Sequence, residues 1–484
     1  MMGMGVFPEY ISAAHLRHVS WAIQQKVSNE MVTVRRVGTI FASMLLALGV
    51  TSPARALADA AKPYGMDKRI VPPAYLHMPH HEDGPLPRLL SQTGAFSDLK
   101  NLVPTPGLLT YELVVPFWSD RAVKTRWVAV PREKIKFSSD GNWTFPKGNV
   151  FVKTFELPTD AADPTAKRRL ETRFLVSDNA GGVYGVTYKW RPDHRDADLL
   201  TTSVTEDIPV KDANGQVHNQ TWYYPSRQDC HTCHNPRTGG VLGVKTRQMN
   251  RDITYPTGVT DNELRTWNHL GLFSPGFNEQ DIAHFATLAA TDDTSRTLED
   301  RGRSYLDANC SHCHQPGGTV ANFDARYSTP LDQQQLINGP ILIDQGIDRP
   351  RVISPHDPWR SILYMRIDTD GDIRMPPLAR ETIDEHGVDL IRQWIESLPG
   401  KDVLDPPTTS PNGGAFAGPV SVTLTERVPG AEIRYTLDGS VPGPSDALYD
   451  KPIQITGPTV LRTRAYKEGL TRSITAQQVY IIGP

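Results

Sequence analysis

All four cysteines of this 484-residue chain stand in two copies of one pattern, Cys230-His231-Thr232-Cys233-His234 and Cys310-Ser311-His312-Cys313-His314. Two thiols three positions apart on a helical turn can each add to one vinyl group of a haem, and the histidine that follows then faces the iron. A disulfide across a two-residue gap closes almost no loop and gains little chain entropy. Zinc knuckles also pair Cys-x-x-Cys motifs, but usually about 15–20 residues apart. Here all of residues 234–309 lie between Cys233 and Cys310. A thioredoxin-like redox site would carry one motif near a βαβ pattern, not two, each trailed by histidine. The pattern therefore predicts two haem c groups, bound covalently through Cys230, Cys233, Cys310 and Cys313, with His234 and His314 as proximal iron ligands.

The sixth ligands are less evenly specified. In Arg374-Met375-Pro376-Pro377 the prolines restrict the backbone around a thioether, so Met375 is the candidate distal ligand of the second haem, with Met365 and His356 in reserve. Methionine also fills cores, which is the alternative for Met375. For the first haem, Met249 follows His234 in the chain and His269 lies on the next expected helix. Either could be the ligand, or both could be packing residues with the iron left open to an outside ligand. His231 and His312, inside the Cys-x-x-Cys gaps, are expected to be exposed bystanders.

Covalent haem attachment in bacteria takes place outside the cytoplasmic membrane, so an export signal is expected. Met31-Val-Thr-Val-Arg35-Arg36 supplies a basic region, residues 37–50 (VGTIFASMLLALGV) an apolar one, and Ala54-Arg55-Ala56 a small-x-small cleavage site. The apolar stretch falls short of the ~20 residues of a membrane span. The expectation is a cleaved signal peptide at 31–56, translation starting at Met31, residues 1–30 being spurious, and a periplasmic or otherwise exported product without stable membrane insertion. The formal net charge of −3 leaves no basic footprint for nucleic acid.

The rest of the chain, rich in Pro (40) and Gly (37), predicts long loops and β structure. Residues 57–85 read as an extended segment. From 86 to 224, runs at 111–115, 126–130, 150–157, 170–176 and 183–190 are rich in Val, Phe, Tyr, Thr and Trp and bounded by turn residues, so a β-sandwich-like domain is expected. Residues 225–296 carry the first motif and a helix start at Thr260-Asp261-Asn262-Glu263. Residues 297–400 read as a mostly α-helical class I cytochrome c domain, with one helix at 297–309 and another at 383–398 able to cross it. A proline-bearing linker, 401–411, leads to alternating strands at 412–484, an expected C-terminal antiparallel β-sandwich. The expected fold class is thus a multidomain α+β chain.

Several segments are familiar. Ser91–Phe96 (SQTGAF), Pro116–Asp120 (PFWSD) with Lys124, Tyr224–Cys230 (YPSRQDC) and Leu242-Gly243 resemble an uncharacterised family of bacterial dihaem c-type cytochromes over about residues 85–400. In that family the position of Met249 is often leucine, which counts against it as a shared axial ligand. The resemblance implies cofactor and location more than reaction. Residues 408–483, through Gly430–Ser440 (GAEIRYTLDGS) and Leu461–Tyr466 (LRTRAY), look like the fibronectin-like C-terminal domain of chitobiase and β-hexosaminidase, an accessory module.

Three functions follow as expectations. The first is electron transfer between redox partner proteins through two haems. The second is a haem oxidoreductase, peroxidase-like or an electron-accepting module of a dehydrogenase, with an open site at the first haem. The third is polysaccharide or cell-surface contact through the C-terminal domain. No nucleophile, base and orienting group stand at a recognisable spacing, so electron transfer is placed ahead of catalysis.

Overall fold

Alternation in the middle of the chain builds one large sheet. The computed structural model describes residues 62–318, 322–378 and 380–483, so the expected signal peptide at 31–56 lies outside the described residues. Six antiparallel strands lie side by side in chain order: β1 (Leu108–Thr110), β2 (Val123–Ala129), β3 (Val150–Pro158), β4 (Lys167–Ser177), β5 (Val183–Trp190) and β6 (Ala197–Leu199). Successive side chains of a strand point to opposite faces. Trp127, Ala129, Val150, Val152, Phe174, Tyr184, Val186 and Tyr188 accordingly share one face and one core. Tyr75, Leu76 and Met78 of the N-terminal segment close that core, so residues expected to be merely extended cover the sheet. On the other face, Val128, Val130 and Phe151 pack with Trp143, Met249, Leu264, Trp267 and Phe273.

This arrangement corrects the expected sandwich. The domain has one large sheet, covered on one face by the N-terminal segment and on the other by short helices at Thr246–Met249 and Glu263–His269 with irregular chain. Separate two-stranded ribbons pair Phe96–Asp98 with Val103–Pro104 and Val204–Lys211 with Val217–Tyr224. The sequence shows strand periods but not what lies over each face, and loops can cover a sheet as well as a second sheet can.

The expected α+β class is corrected too. Strands hold 29% of the residues and helices 16%, so the chain is mostly β. Among the described residues before 297, the α-helices are α1 (Arg227–Cys233), α2 (Thr246–Met249) and α3 (Glu263–His269). Among the described residues between 297 and 400, the α-helices are α4 (Leu298–Asn309), α5 (Ile362–Ile367) and α6 (Glu385–Ser397), which do not make a large helical cytochrome c domain. Pro316, Pro330, Pro340, Pro350, Pro355 and Pro358 break the intervening chain, and Gln335, Asn338, Gln345, Arg349 and His356 hold positive φ there. Helix signals at the two ends were real, but they do not extend inward. Thr297 and Asp384 cap α4 and α6 through side-chain oxygens. The two helices meet where glycines leave room for rings: a Cβ on Gly302 would lie 2.7 Å from Trp394, and one on Gly387 2.4 Å from Tyr305.

The C-terminal part holds a three-stranded and a five-stranded sheet around Val422, Leu424, Ile433, Ile453, Ile455, Leu461 and Tyr480. It is not wholly antiparallel, because Gly414–Phe416 pairs parallel with Ala476–Ile482. Nor does it hang on a loose linker. Leu404 is fully buried, Trp359 donates to Asp405 Oδ1 at 2.8 Å, and Ile474 enters the core beneath α5 and α6. Asp348 faces Arg360, Arg464 and Arg472 at 3.1, 3.4 and 3.2 Å, with Arg360 and Arg464 both buried. Among the described residues no helix is long and apolar enough to cross a membrane.

The Asp348 cluster gives a first prediction. Burial alone would raise its carboxyl, but Arg360 together with Arg472 and Arg464 holds it below the usual carboxylate range. Its contribution to stability is therefore present above that range and lost as pH falls through the lowered folded-state value. Asp348→Ala should remove the carboxylate facing buried Arg464 and cost about 3 kcal/mol. Limited proteolysis should then cut between residues 401 and 411, where the parent chain resists.

Candidate functional site

The first motif rides on the sheet. Ser226 caps α1, its Oγ accepting from Asp229 N at 3.3 Å while Asp229 Oδ2 accepts from Ser226 N at 2.8 Å, and Tyr223 also donates to Asp229. Glu82 holds the outer side of the helix through His231, at 2.6 Å, and Arg227. The inner side rests on β5. A Cβ on Gly185 would lie 2.5 Å from Cys230 Sγ, so only glycine lets the helix seat there. His234 N donates to Cys230 O at 2.8 Å, and in the second motif His314 N donates to Cys310 O at 2.9 Å. The two motifs thus turn in the same way.

They also meet. Ligand atoms of Cys233, His312 and Cys313 all lie within 4.8 Å of one another, the grouping of such side chains among the described residues that could hold a metal ion. Cys233 donating to Cys313, with His312 alongside, pulls the Cys313 thiol below its ordinary range and pushes Cys233 up. Burial raises Cys230, and pushes Cys310 up to about 12. All four cysteines are free. Neither His231 nor His312 is an exposed bystander: both are half-buried, and His312 packs edge-on against Phe117.

A segment that carries no chemistry of its own brings the motifs together. In Pro116–Asp120, Trp118 N donates to Asn309 Oδ1 at 2.8 Å, just before Cys310, and its indole donates to Thr382 O at 3.2 Å. Asp120 accepts from Thr382 N at 2.8 Å and Glu381 N at 3.0 Å, while its own carbonyl accepts from Gln220 of the ribbon. Lys245 pairs with Asp307 at 2.5 Å across the same junction. Sequence reasoning noticed this segment only as a likeness. Its signal was a run of large rings and a carboxylate with no evident core periodicity.

Both motifs line one cavity of about 240 Å³, floored by the sheet. Cys230, Cys233 and His234 face it from one side, Ser311 and His312 from another. The floor is Phe155, Phe151 and Leu175 with Lys124, Arg126, Lys153 and Arg173. Burial first, then mutual repulsion, lowers the pKa of Lys124 strongly and that of Lys153 to about 7, and burial lowers Arg126. Among the described residues, Arg173 is the one of these four that pairs with a carboxylate, Glu171, at 2.5 Å.

The histidines differ in how they are held. His234 Nδ1 meets Gly240 O at 2.7 Å, which leaves Nε2 as the ring's other nitrogen. Burial lowers His234 to about 4, and does the same for His314, so both rings are neutral near pH 7. His314 stacks on Phe323 at 4.2 Å, and its Nδ1 is buried without a hydrogen bond. Met375 and Met365 sit in the apolar cluster that Cys310 joins, and Arg380 Nη1 donates to Met375 O at 2.7 Å. His356 is turned elsewhere, with Nε2 2.9 Å from Asp402. At the first motif, neither candidate distal residue reaches the cavity. Met249 is fully buried among Leu264 and Trp267, and its neighbour Gln248 lines the cavity instead. His269 is exposed and stacked on Tyr64 at 3.6 Å.

Residues 411–477 match the chitobiase/beta-hexosaminidase C-terminal domain. No curated protein and no solved structure matches the chain.

The seat of α1 yields a second prediction. Gly185→Val should force Cys230 off β5 and destabilise the protein by about 1–3 kcal/mol, whereas Gly457→Ala, with open space around it, should be near neutral. Chemical denaturation of the two variants measures the contrast.

Proposed function

We propose that this chain is an exported dihaem c-type cytochrome that passes electrons between redox partner proteins. One observation carries the reading: two Cys-x-x-Cys-His motifs, far apart in sequence, turn alike and stand side by side, with Cys233 and Cys313 in mutual contact distance. The residues fit the group. Four free thiols stand in pairs for thioether bonds, and His234, neutral and fixed through Nδ1 by Gly240 O, keeps Nε2 for iron. Phe323 fixes the plane of His314, and a cluster of Met375, Met365 and Cys310 offers the second motif an apolar, sulfur-bearing surround. The resemblance of Pro116–Asp120 and Tyr224–Cys230 to dihaem cytochromes supports the same assignment, since these segments clamp and cap the motifs.

Bound haem supplies one-electron chemistry, and the protein tunes it by axial ligand, burial and nearby charge. Neighbouring attachment points favour electron exchange within the chain over exchange of each haem with solvent. Met375 is the proposed sixth ligand at the second motif, a set that raises the reduction potential relative to two nitrogens. A second reading has its own support: with Met249 in the core and His269 at the surface, the first motif has neither expected ligand in its cavity, which suits an iron that binds a small exogenous molecule. Polysaccharide contact is the weakest of the three, because no aromatic ring of residues 411–483 is exposed to serve as a stacking platform.

Produced with a haem-attachment system and an export signal, the chain should gain the mass of two haems under denaturing conditions, and Cys230→Ser/Cys233→Ser only one. No covalent haem would remove the reading. Paramagnetic resonance should show two low-spin irons for the carrier, with Met375→Ala converting one to high spin. Saturable cyanide binding in the parent protein, abolished with the first motif, would favour the oxidoreductase instead.

A further inference from the structure

The floor of the cavity has a charge pattern that the fold alone does not explain. Register places Arg126 opposite Lys153 across β2 and β3, and Lys153 opposite Arg173 across β3 and β4. Three cations therefore form one cross-strand row, and Lys124 lies two positions from Arg126 on the same face. Like charges directly opposite in a sheet are destabilising. Here they are also largely withdrawn from water, Arg126 being only 9% exposed. Glu171 answers Arg173. Among the described residues Lys124, Arg126 and Lys153 join no ion pair: Lys124 donates to the Phe117 carbonyl and Arg126 to the Lys124 carbonyl. Thr187, opposite Arg173, continues the row with a buried hydroxyl that has no hydrogen-bond partner.

Two bland explanations are insufficient. Lysines at a sheet edge often snorkel to water, but β3 is flanked on both sides. Cation–π contact explains part of the placement, since Lys153 lies over Phe155 at 5.2 Å and Arg173 at 4.4 Å. A ring face offsets only a fraction of the cost of a buried charge. Lys124 and Arg126 also line a wider cleft of about 930 Å³ that takes in Arg251 and His386, so the row has a second approach besides the motif cavity.

We propose that Lys124, Arg126 and Lys153 form a binding site for oxyanion groups of the carboxylate or sulfate type. Two sources share this chemistry: the carboxylates of a haem attached at Cys230 and Cys233, or a free small oxyanion reaching the row through the outer cleft. The first source rests on the dihaem reading, and the second does not.

The test uses the full exported chain and the variants Arg126→Gln and Lys153→Met, with Lys153→Arg as the charge-keeping control. Denaturing mass spectrometry reports on haem attachment separately, so a failure of the dihaem reading is seen as such. For a free oxyanion, sodium sulfate at constant ionic strength should raise the melting temperature of the parent chain saturably. Either neutral variant should weaken that response about tenfold or more, and Lys153→Arg should retain it. For haem carboxylates, sulfate should have no effect. Each neutral variant should instead lower the midpoint potential of the first haem and leave the second unchanged, because removing a nearby cation disfavours the added electron. If Arg126→Gln and Lys153→Met do not fold, Lys124→Gln, at the outer end of the row, supplies the neutral variant for the same sulfate and potential measurements. The proposal is overturned if sulfate does not act on the parent and the first haem's potential does not move in a folded neutral variant.

Discussion

The contact between Cys230 and the bare backbone of Gly185 is the constraint on which the rest of the site depends. A helix bearing the motif can lie on a sheet only where one strand position has no side chain, and β5 provides that position. Once α1 is seated there, its second cysteine and its histidine are carried over the β3 and β4 side of the sheet, and the cavity is the space left beneath. Capping by Ser226 and Asp229 and the hold of Glu82 on His231 and Arg227 then fix the helix from outside. None of these contacts is large in energy. Their effect is positional, because each removes a different way for the motif to swing away.

The second motif reaches the same place by another route. Its cysteines follow α4, whose crossing with α6 is set by Gly302 beneath Trp394 and Gly387 beneath Tyr305. The pair is then tied to the sheet unit through Trp118, Asp120 and the Lys245–Asp307 bridge. Asp120 is buried, which raises its carboxyl, while bonds from Thr382 and Glu381 oppose the rise. A carboxylate accepting several amide donors in a protected site is a stiff joint. It sits between two motif-bearing elements that share no strand.

Legibility in the sequence followed the range of each interaction. β5 was readable to its ends, since alternation and the turn residues at Gly181-Gly182 are local signals. The helix starts near Thr297 and within Thr260–Glu263 were legible for the same reason. The helical domain was over-read because strong end helices were extended across a stretch that prolines and left-handed residues keep irregular. Met249 shows the limit for sites: a methionine near a histidine in sequence looks the same whether it faces a cavity or a core. Only the packing of Leu264 and Trp267 around it separates the two. Gly185, Glu82 and Pro116–Asp120 were invisible as site residues because their roles exist only across long sequence separations.

The cation row and the meeting of the motifs bear on each other. Lys124, Arg126 and Lys153 are placed by strand register, whereas the motifs are placed by helices docked on that sheet, so the two features arise from different parts of the sequence. A row of like charges under an empty cavity would be a standing cost to the fold. Beneath an anionic group held by Cys230 and Cys233 the same row becomes an attraction, and the sheet is then more stable loaded than unloaded. Attachment would thus stabilise β2, β3 and β4 beyond the covalent bonds themselves. On the proposed reading, the charge that destabilises the bare sheet is also what would select its ligand, on the face where α1 and the cavity lie.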